Sequence, residues 1–349
     1  MATIGIVEGF FGPAWSVQAR LHYADFLSKF ENSFYFYAPK RDPHLRKEWR
    51  GYWSESYLRS LSTLIESFHK QGVQFGVGLS PFGLGKTFTL EDQHLLEDKL
   101  QQLKDLGIDR LGLFFDDMPS SEDLASVQIE VVKKALVLFP KGLMFCPSYY
   151  TYDPILDKVF GPRPAGYLEE LARGIPASVS LLWTGPRVIS EEIRHEHLKE
   201  VTKLLKRKPF IWENIFANDG PRNCKFLKLK YFSGRDKDFL KDCEGVAFNL
   251  MNQPHLSQIL FEASWLVLNE GLSGEAAFKK ALLSLGDSDV ARFIQTHREA
   301  LLNEGLDKFD EEKKSALLKE LASSTHPVAW EIKDWLNGVY LVGAECLTD

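Results

Sequence analysis

The sequence has few cysteines and lacks the short motifs of the commonest metal, nucleotide and serine-nucleophile sites. Its four cysteines are widely spaced and form no CxxC pair, which argues against a disulfide framework or a zinc site. No HExxH, GxSxG, GxGxxG or P-loop pattern occurs. His195 and His197 have the wrong spacing for one helix face. We therefore expect neither a metal nor a cofactor.

The sequence also lacks a strong charge bias and a long apolar run. A net charge of −6 and a pI near 5.9 give no reason to expect nucleic acid or an anionic membrane as a partner. No segment is apolar enough to span a bilayer, and residues 1–3 lead into a strand-like segment without a signal peptide. The expected location is the cytoplasm, unless an export leader has been removed.

What the sequence does contain is an alternation of short apolar and longer amphipathic segments up to about residue 270. This alternation is typical of α/β proteins. Seven of the eight predicted strands are followed by a predicted helix, the exception being the strand that ends at Trp212. The simplest architecture is a (β/α)8 TIM barrel over residues 1–272, with a doubly wound sheet as the alternative. The predicted strands are 4–7, 33–37, 74–78, 110–115, 143–146, 178–183, 209–212 and 245–248.

From about residue 274 the pattern indicates helices only. Apolar positions at three-to-four spacing predict helices over 275–285, 287–303, 310–323 and 327–345. We interpret residues 273–349 as a C-terminal helical region that packs on the barrel or on a second subunit. A homodimer could form through these helices, whereas a second active site there is not indicated.

One predicted strand, 110–115, ends in two adjacent carboxylates, Asp116 and Asp117. The carboxyl ends of the strands converge on the catalytic face of a barrel, where charged side chains can face a cleft. Neighbouring aspartates crowd like charge, which raises the pKa of at least one carboxyl and can keep it protonated as a general acid. The structural alternative is a helix cap beside a solvated acid.

Other strand ends also carry polar and aromatic residues. Carboxylates supported by aromatic and amide side chains, without a metal or serine motif, are typical of a glycosidase. Each residue also has a purely structural interpretation, such as a tight turn for glycine, a solvated charge for lysine or core packing for an aromatic ring. The candidates are Gly9, Lys40, Tyr150, Trp212, Asn214 and Asp219.

Taken together, these strand ends resemble glycoside hydrolase family 84, the family of O-GlcNAcases and related β-N-acetylglucosaminidases. The resemblance covers about residues 4–270, and its several motifs stand in family order at separate strand ends. The motifs are Val7-Glu8-Gly9-Phe10-Phe11-Gly12, Tyr37-Ala38-Pro39-Lys40, Phe115-Asp116-Asp117, Leu182-Trp183-Thr184-Gly185-Pro186 and Ile211-Trp212-Glu213-Asn214 through Asn218-Asp219.

The resemblance implies a retaining, substrate-assisted reaction on a β-GlcNAc-bearing glycoconjugate or glycoprotein, with an oxazoline formed by the substrate's own 2-acetamido oxygen. It implies that Asp116 orients the acetamido N–H and that Asp117 is the general acid and then the base. Tyr150 is implied near the acetamido oxygen and Trp212 as a pocket wall. The implied ligands of the sugar hydroxyls are Gly9, Lys40, Asn214, Asp219 and Asn249.

A few positions depart from the family pattern. Arg41 follows Lys40 where Asp is common, Asn249 is not followed by the usual Pro, and Tyr149 stands where some members have Glu. None of these changes removes a proposed catalytic group, but they leave the preferred leaving group open. Two alternatives therefore stay open: a glycosidase for hyaluronan-type or GalNAc-type substrates, and a catalytically silent glycan-binding barrel.

Overall fold

A computed structural model describes residues 2–84, 88–343 and 346 of the protein. Eight parallel strands form a closed barrel in chain order, with the last strand hydrogen-bonded to the first. The predicted (β/α)8 barrel is therefore confirmed, and the doubly wound alternative is wrong. The strands are β1 Thr3–Glu8, β2 Ser33–Tyr37, β3 Gln74–Leu79, β4 Arg110–Phe114, β5 Leu143–Cys146, β6 Ser180–Trp183, β7 Phe210–Glu213 and β8 Gly245–Asn249.

Helices return the chain from each strand to the next, except between β7 and β8. There the described residues form only two single-turn 3₁₀ segments. This agrees with the prediction that no helix follows the strand ending at Trp212. The barrel helices are α1 Val17–Leu27, α2 Glu55–Lys70, α3 Leu90–Asp105, α4 Leu124–Leu138, α5 Pro154–Phe160, α6 Tyr167–Gly174, α7 His195–Leu205 and α8 Pro254–Glu270.

The C-terminal region is helical, as predicted, and α9 and α12 pack against α8. No helix in the described part of the chain is long and apolar enough to cross a membrane. The C-terminal helices are α9 Gly274–Leu283, α10 Ser288–Glu299, α11 Glu311–Glu320 and α12 Pro327–Leu336.

Two predicted helix limits are wrong for local reasons. The sequence after β6 predicts a helix that begins at Ser190 and runs to Arg207, but the helix begins at His195. The Ser190 hydroxyl instead closes a turn, donating to Thr184 O at 3.0 Å. The last helix was expected to continue to residue 345 but ends at Leu336. Gly338 follows with a φ of +78°, a left-handed conformation that commonly ends helices.

Packing inside the barrel fixes the end of β4. Gly78 and Gly112 are paired across β3 and β4, and the ring of Phe114 lies over both. A Cβ atom would come within 2.2 Å of the ring at Gly78 and 2.4 Å at Gly112, so only glycine leaves room for the ring. Phe114 in turn meets Trp212 edge-on, with 5.0 Å between ring centroids. The residues at the end of β4, just before the aspartate pair, are thus tightly packed.

Two buried ion pairs hold the loops that leave β1 and β7. Glu8 accepts from Arg20 Nε at 2.8 Å and from Trp15 N at 3.1 Å. Glu213 lies 2.8 Å from Arg235 Nε and accepts from Ile215 N at 3.0 Å. Removing one partner of such a pair costs about 3–5 kcal/mol because it leaves a buried charge uncompensated. Loss of either partner would therefore destabilise the loop that the pair holds at the catalytic face.

Candidate active site

A cavity at the carboxyl ends of the strands brings all nine predicted site residues together. They come from six different strand ends or the loops that follow them, which is the convergence expected on the catalytic face of a barrel. The predicted residues lining the cavity are Gly9, Lys40, Asp116, Asp117, Tyr150, Trp212, Asn214, Asp219 and Asn249. The other lining residues are Phe11, Cys146, Thr184, Val188, Ile189, Ala217, Asn223 and Cys346.

The aspartate pair follows β4 in a strained conformation. Asp117 has a φ of +58°, in the left-handed region that costs an L-residue about 1–2 kcal/mol. Phe115, which precedes the aspartate pair, is held firmly, because its N–H donates to Cys146 O at 2.9 Å and its carbonyl oxygen accepts from Ser148 Oγ at 2.7 Å. Strain of this kind concentrates at functional sites, where the surrounding structure enforces it.

Only one oxygen of Asp116 has a hydrogen-bond donor among the described residues. Lys40 Nζ donates to Asp116 Oδ2 and lies 3.7 Å from Asp117 Oδ2. Asp116 Oδ1 is buried and accepts no hydrogen bond from any residue that the structure describes. An ionised carboxylate offers acceptors only, and a buried acceptor without a donor is costly. Asp116 is therefore ready to accept a hydrogen bond from an N–H or O–H group of a ligand.

Asp117 has the electrostatic environment of a proton donor. Burial raises the pKa of the Asp117 carboxyl, and the neighbouring Asp116 carboxylate raises that pKa further, while Lys40 and Arg46 oppose both effects. The direction agrees with the prediction from the sequence, but burial rather than like-charge crowding is the larger cause. A raised pKa keeps the proton on the carboxyl at higher pH, as general acid catalysis requires.

A chain of amides forms another wall of the cavity. Asn214 Oδ1 accepts from Trp212 Nε1 at 2.9 Å and from Asn249 Nδ2 at 3.0 Å, and Asn214 Nδ2 donates to Val188 O at 3.0 Å. These bonds fix the amide and leave one N–H of Asn214 for a ligand. Asn249 Oδ1 is buried and has no donor among the described residues. The wall thus presents one donor and one acceptor.

Gly9 makes room for Trp212. A Cβ atom at Gly9 would lie 2.6 Å from Trp212 Cζ2 and 2.8 Å from Cη2, so any side chain there would displace the ring. Gly9 is not among the residues with positive φ, so a tight turn does not explain the glycine. Its role is steric, and it keeps the indole against the cavity.

Asp219 and Tyr150 complete the cavity wall. Asp219 Oδ2 accepts from Phe11 N at 2.8 Å, and burial raises the pKa of Asp219 to about 6. Burial also raises the pKa of Tyr150 well above its usual value, so its hydroxyl stays protonated and able to donate. Tyr149 points elsewhere, donating to Gly161 O at 2.5 Å.

The sequence did not indicate the residues that support the site residues from outside the cavity. Gln128 Nε2 donates to Ser148 Oγ at 2.8 Å, and Tyr167 OH accepts from Ser148 N at 3.0 Å. Arg46, also missed, lies close enough to lower the pKa of Asp117. None of these residues belongs to a strand-end motif, so no local pattern indicates them. No group of His, Cys, Asp and Glu in the described ranges is placed to hold a metal ion.

Comparisons with known proteins agree with this geometry. A family model described as beta-N-acetylglucosaminidase (NAGidase) matches residues 4–297. The Protein O-GlcNAcases of Rattus norvegicus and Mus musculus are each 32% identical in an alignment of 257 residues, and the match covers 70% of this chain and 27% of those proteins. The chain thus spans about a quarter of the length of these curated relatives.

A solved structure with a similar fold points in the same direction. It is a mutant of the Thermobaculum terrenum O-GlcNAc hydrolase, which aligns with a TM-score of 0.77 at 26% sequence identity. The alignment covers 96% of this chain and 80% of that one, so it includes the C-terminal helices as well as the barrel.

Proposed function

The chain belongs to glycoside hydrolase family 84, and we therefore propose that it is an exo-acting β-N-acetylglucosaminidase. It releases one terminal β-linked GlcNAc with retention of configuration, and its substrate is O-GlcNAc on Ser or Thr of proteins. The observation that carries the proposal is the aspartate pair: a free, buried acceptor on Asp116 beside the raised pKa of Asp117. The names of the relatives support the protein substrate.

In the first chemical step the 2-acetamido oxygen of the substrate attacks the anomeric carbon. The bond from that carbon to the aglycone oxygen breaks, its electron pair goes to the oxygen, and Asp117 gives the oxygen a proton. Asp116 Oδ1 accepts a hydrogen bond from the acetamido N–H, so a fixed carboxylate stabilises the positive charge that develops on the amide. The product is a bound oxazoline that keeps this N–H proton on its nitrogen, so it is an oxazolinium ion whose positive charge faces the Asp116 carboxylate.

In the second step water opens the oxazoline. Asp117, now a carboxylate, takes a proton from the water as its oxygen bonds to the anomeric carbon, and the acetamido group is restored. Lys40 holds the Asp116 carboxyl group in place through both steps, because its Nζ donates to Asp116 Oδ2. The other cavity residues bind the sugar: Asn214 donates to a hydroxyl, Asn249 and Asp219 accept, and Trp212 lies against the ring.

The direct test of this function is turnover by the purified wild-type protein. We expect hydrolysis of 4-nitrophenyl β-GlcNAc and release of GlcNAc from an O-GlcNAc-bearing peptide. The matched control is 4-nitrophenyl β-glucoside, which has no acetamido oxygen and should not be hydrolysed. If 4-nitrophenyl β-GalNAc were hydrolysed faster than 4-nitrophenyl β-GlcNAc, the preferred sugar would be GalNAc and not GlcNAc. No GlcNAc release from any β-GlcNAc substrate would refute it.

A further inference from the structure

The loop between β7 and β8, residues 214–244, carries three polar cavity residues but has no α-helix of its own. Asn214, Asp219 and Asn223 all line the cavity. Each of the other seven strands is followed by at least one α-helix. Something else must therefore position this loop, since a long loop without regular structure gains little stability from its own contacts.

The C-terminal helical region supplies one anchor for this loop. Trp335 is fully buried, and its Nε1 donates to Cys224 O at 3.0 Å. Leu227 N donates to Leu301 O at 3.0 Å, so the same piece of the loop is hydrogen-bonded to the turn after α10. Residues 224–227 of the loop are thus fixed from two sides.

A second anchor acts on the start of α8, directly after β8. Glu331 of α12 is 5% exposed and accepts from His255 N and Leu256 N, both at 2.8 Å. These are N–H groups of the first turn of α8, which have no partner inside the helix, and the two carboxyl oxygens of Glu331 satisfy them. One helix, α12, therefore anchors both the loop and the segment that follows Asn249.

The two anchored segments meet at Asn218. Its Nδ2 donates to Phe226 O at 3.2 Å, on the first segment, and to Gln253 Oε1 at 2.9 Å, on the second. Its Oδ1 accepts from Asn252 N at 2.9 Å. Asn218 is fully buried and immediately precedes Asp219, so the position of the Asp219 carboxylate depends on both segments.

We propose that α12 is a positioning element of the active site: Trp335 and Glu331, acting through Asn218, hold Asp219 where it binds the substrate. The C-terminal helices are then part of the catalytic unit and not a separable appendage. This inference rests on the proposed function where it concerns the sugar. The proposal that α12 orders the loop between β7 and β8 does not depend on which ligand the cavity binds.

Trp335→Phe tests the first anchor, because it keeps most of the ring and removes the N–H donor. Since Asp219 contacts the sugar in the ground state as well as in the transition state, we expect KM for 4-nitrophenyl β-GlcNAc to rise about three- to tenfold with kcat changed less. Trp330→Phe is the matched control, because Trp330 lies on the same helix but is 51% exposed. That variant should behave as wild type.

Amide hydrogen exchange supplies a readout that does not require activity. In Trp335→Phe we expect faster exchange over residues 218–229 and unchanged exchange at β4, whereas Trp330→Phe should change neither. A double-mutant cycle with Asn218→Ala should show that the KM effect of Trp335→Phe shrinks once Asn218 is gone. Should Trp335→Phe fail to fold, Glu331→Gln tests the second anchor by the same measurements.

Equal KM values for the Trp335 and Trp330 variants, together with unchanged exchange in the loop, would overturn the inference. Inactivity of the wild-type protein towards all β-GlcNAc substrates would instead overturn the proposed function. In that case the exchange experiment still decides whether α12 orders the loop, so the two failures are distinguishable.

Discussion

Asp117→Asn should lower kcat/KM for 4-methylumbelliferyl β-GlcNAc by about 10²- to 10⁴-fold, the contribution typical of a general acid. With 2,4-dinitrophenyl β-GlcNAc, whose leaving group needs no proton, the loss should be within about tenfold. The reason is that Asp117 acts in the first step only by protonating the aglycone oxygen. The quantity to measure is kcat/KM for both substrates. It reports only on events up to the release of the aglycone, so the hydrolysis of the intermediate in the second step does not affect it.

The pH dependence provides a second signature of the same variant. Asp117 is active when protonated, and its raised pKa means that wild-type activity falls only as the pH rises through that value. Asp117→Asn should lose this alkaline limb of the kcat/KM profile. Asp123→Asn is the matched control, since Asp123 is an exposed aspartate that is not among the residues lining the cavity, and it should leave the profile unchanged. An equal loss for both leaving groups would contradict the assignment.

Asp116→Asn should lower kcat by about 10²- to 10³-fold, the usual cost of removing one group that stabilises charge in the transition state. In contrast to Asp117→Asn, the loss should be similar for poor and good leaving groups, because the acetamido group must attack in either case. The measurement is kcat for the same two substrates, with circular dichroism to show that the variant is folded.

The Asp116 variant should also shift the pH profile in a defined direction. The Asp116 carboxylate raises the pKa of Asp117, so its neutralisation lowers that pKa. Asp117 then loses its proton at lower pH, and the alkaline limb of kcat/KM moves to lower pH. Full activity of Asp116→Asn on GlcNAc substrates would show that Asp116 has no part in substrate assistance.

The sequence predicts the barrel and the cavity residues for the same reason. Buried parallel strands are short apolar runs, and the first polar residues after each run must lie at one end of the barrel. Asp116, Trp212 and Asn249 therefore come together although they are far apart in the chain. The convergence follows from the alternation of segments alone, and it holds even where individual helix limits such as that at Ser190 are wrong. The choice of Asn249 and the role of each residue came instead from the family resemblance.

The sequence does not predict what holds these residues in place. Gln128 lies on a helix face, where its pairing with Ser148 has no local pattern. Trp335 and Glu331 contact the barrel through tertiary packing alone, so they could be interpreted only as helix residues. The sequence also could not predict that burial raises the pKa of Asp117 more than the neighbouring Asp116 does, because burial is a property of the folded cavity.

The central claim is that the substrate, and not the enzyme, supplies the nucleophile. The most direct test is kcat/KM of the wild-type protein for 4-methylumbelliferyl glycosides bearing acetamido, fluoroacetamido, difluoroacetamido and trifluoroacetamido groups. Fluorine withdraws electrons from the amide oxygen, so the account predicts that each added fluorine lowers the rate steeply. A rate that stays constant across the series would show that the acetamido oxygen does not attack, and would contradict the account.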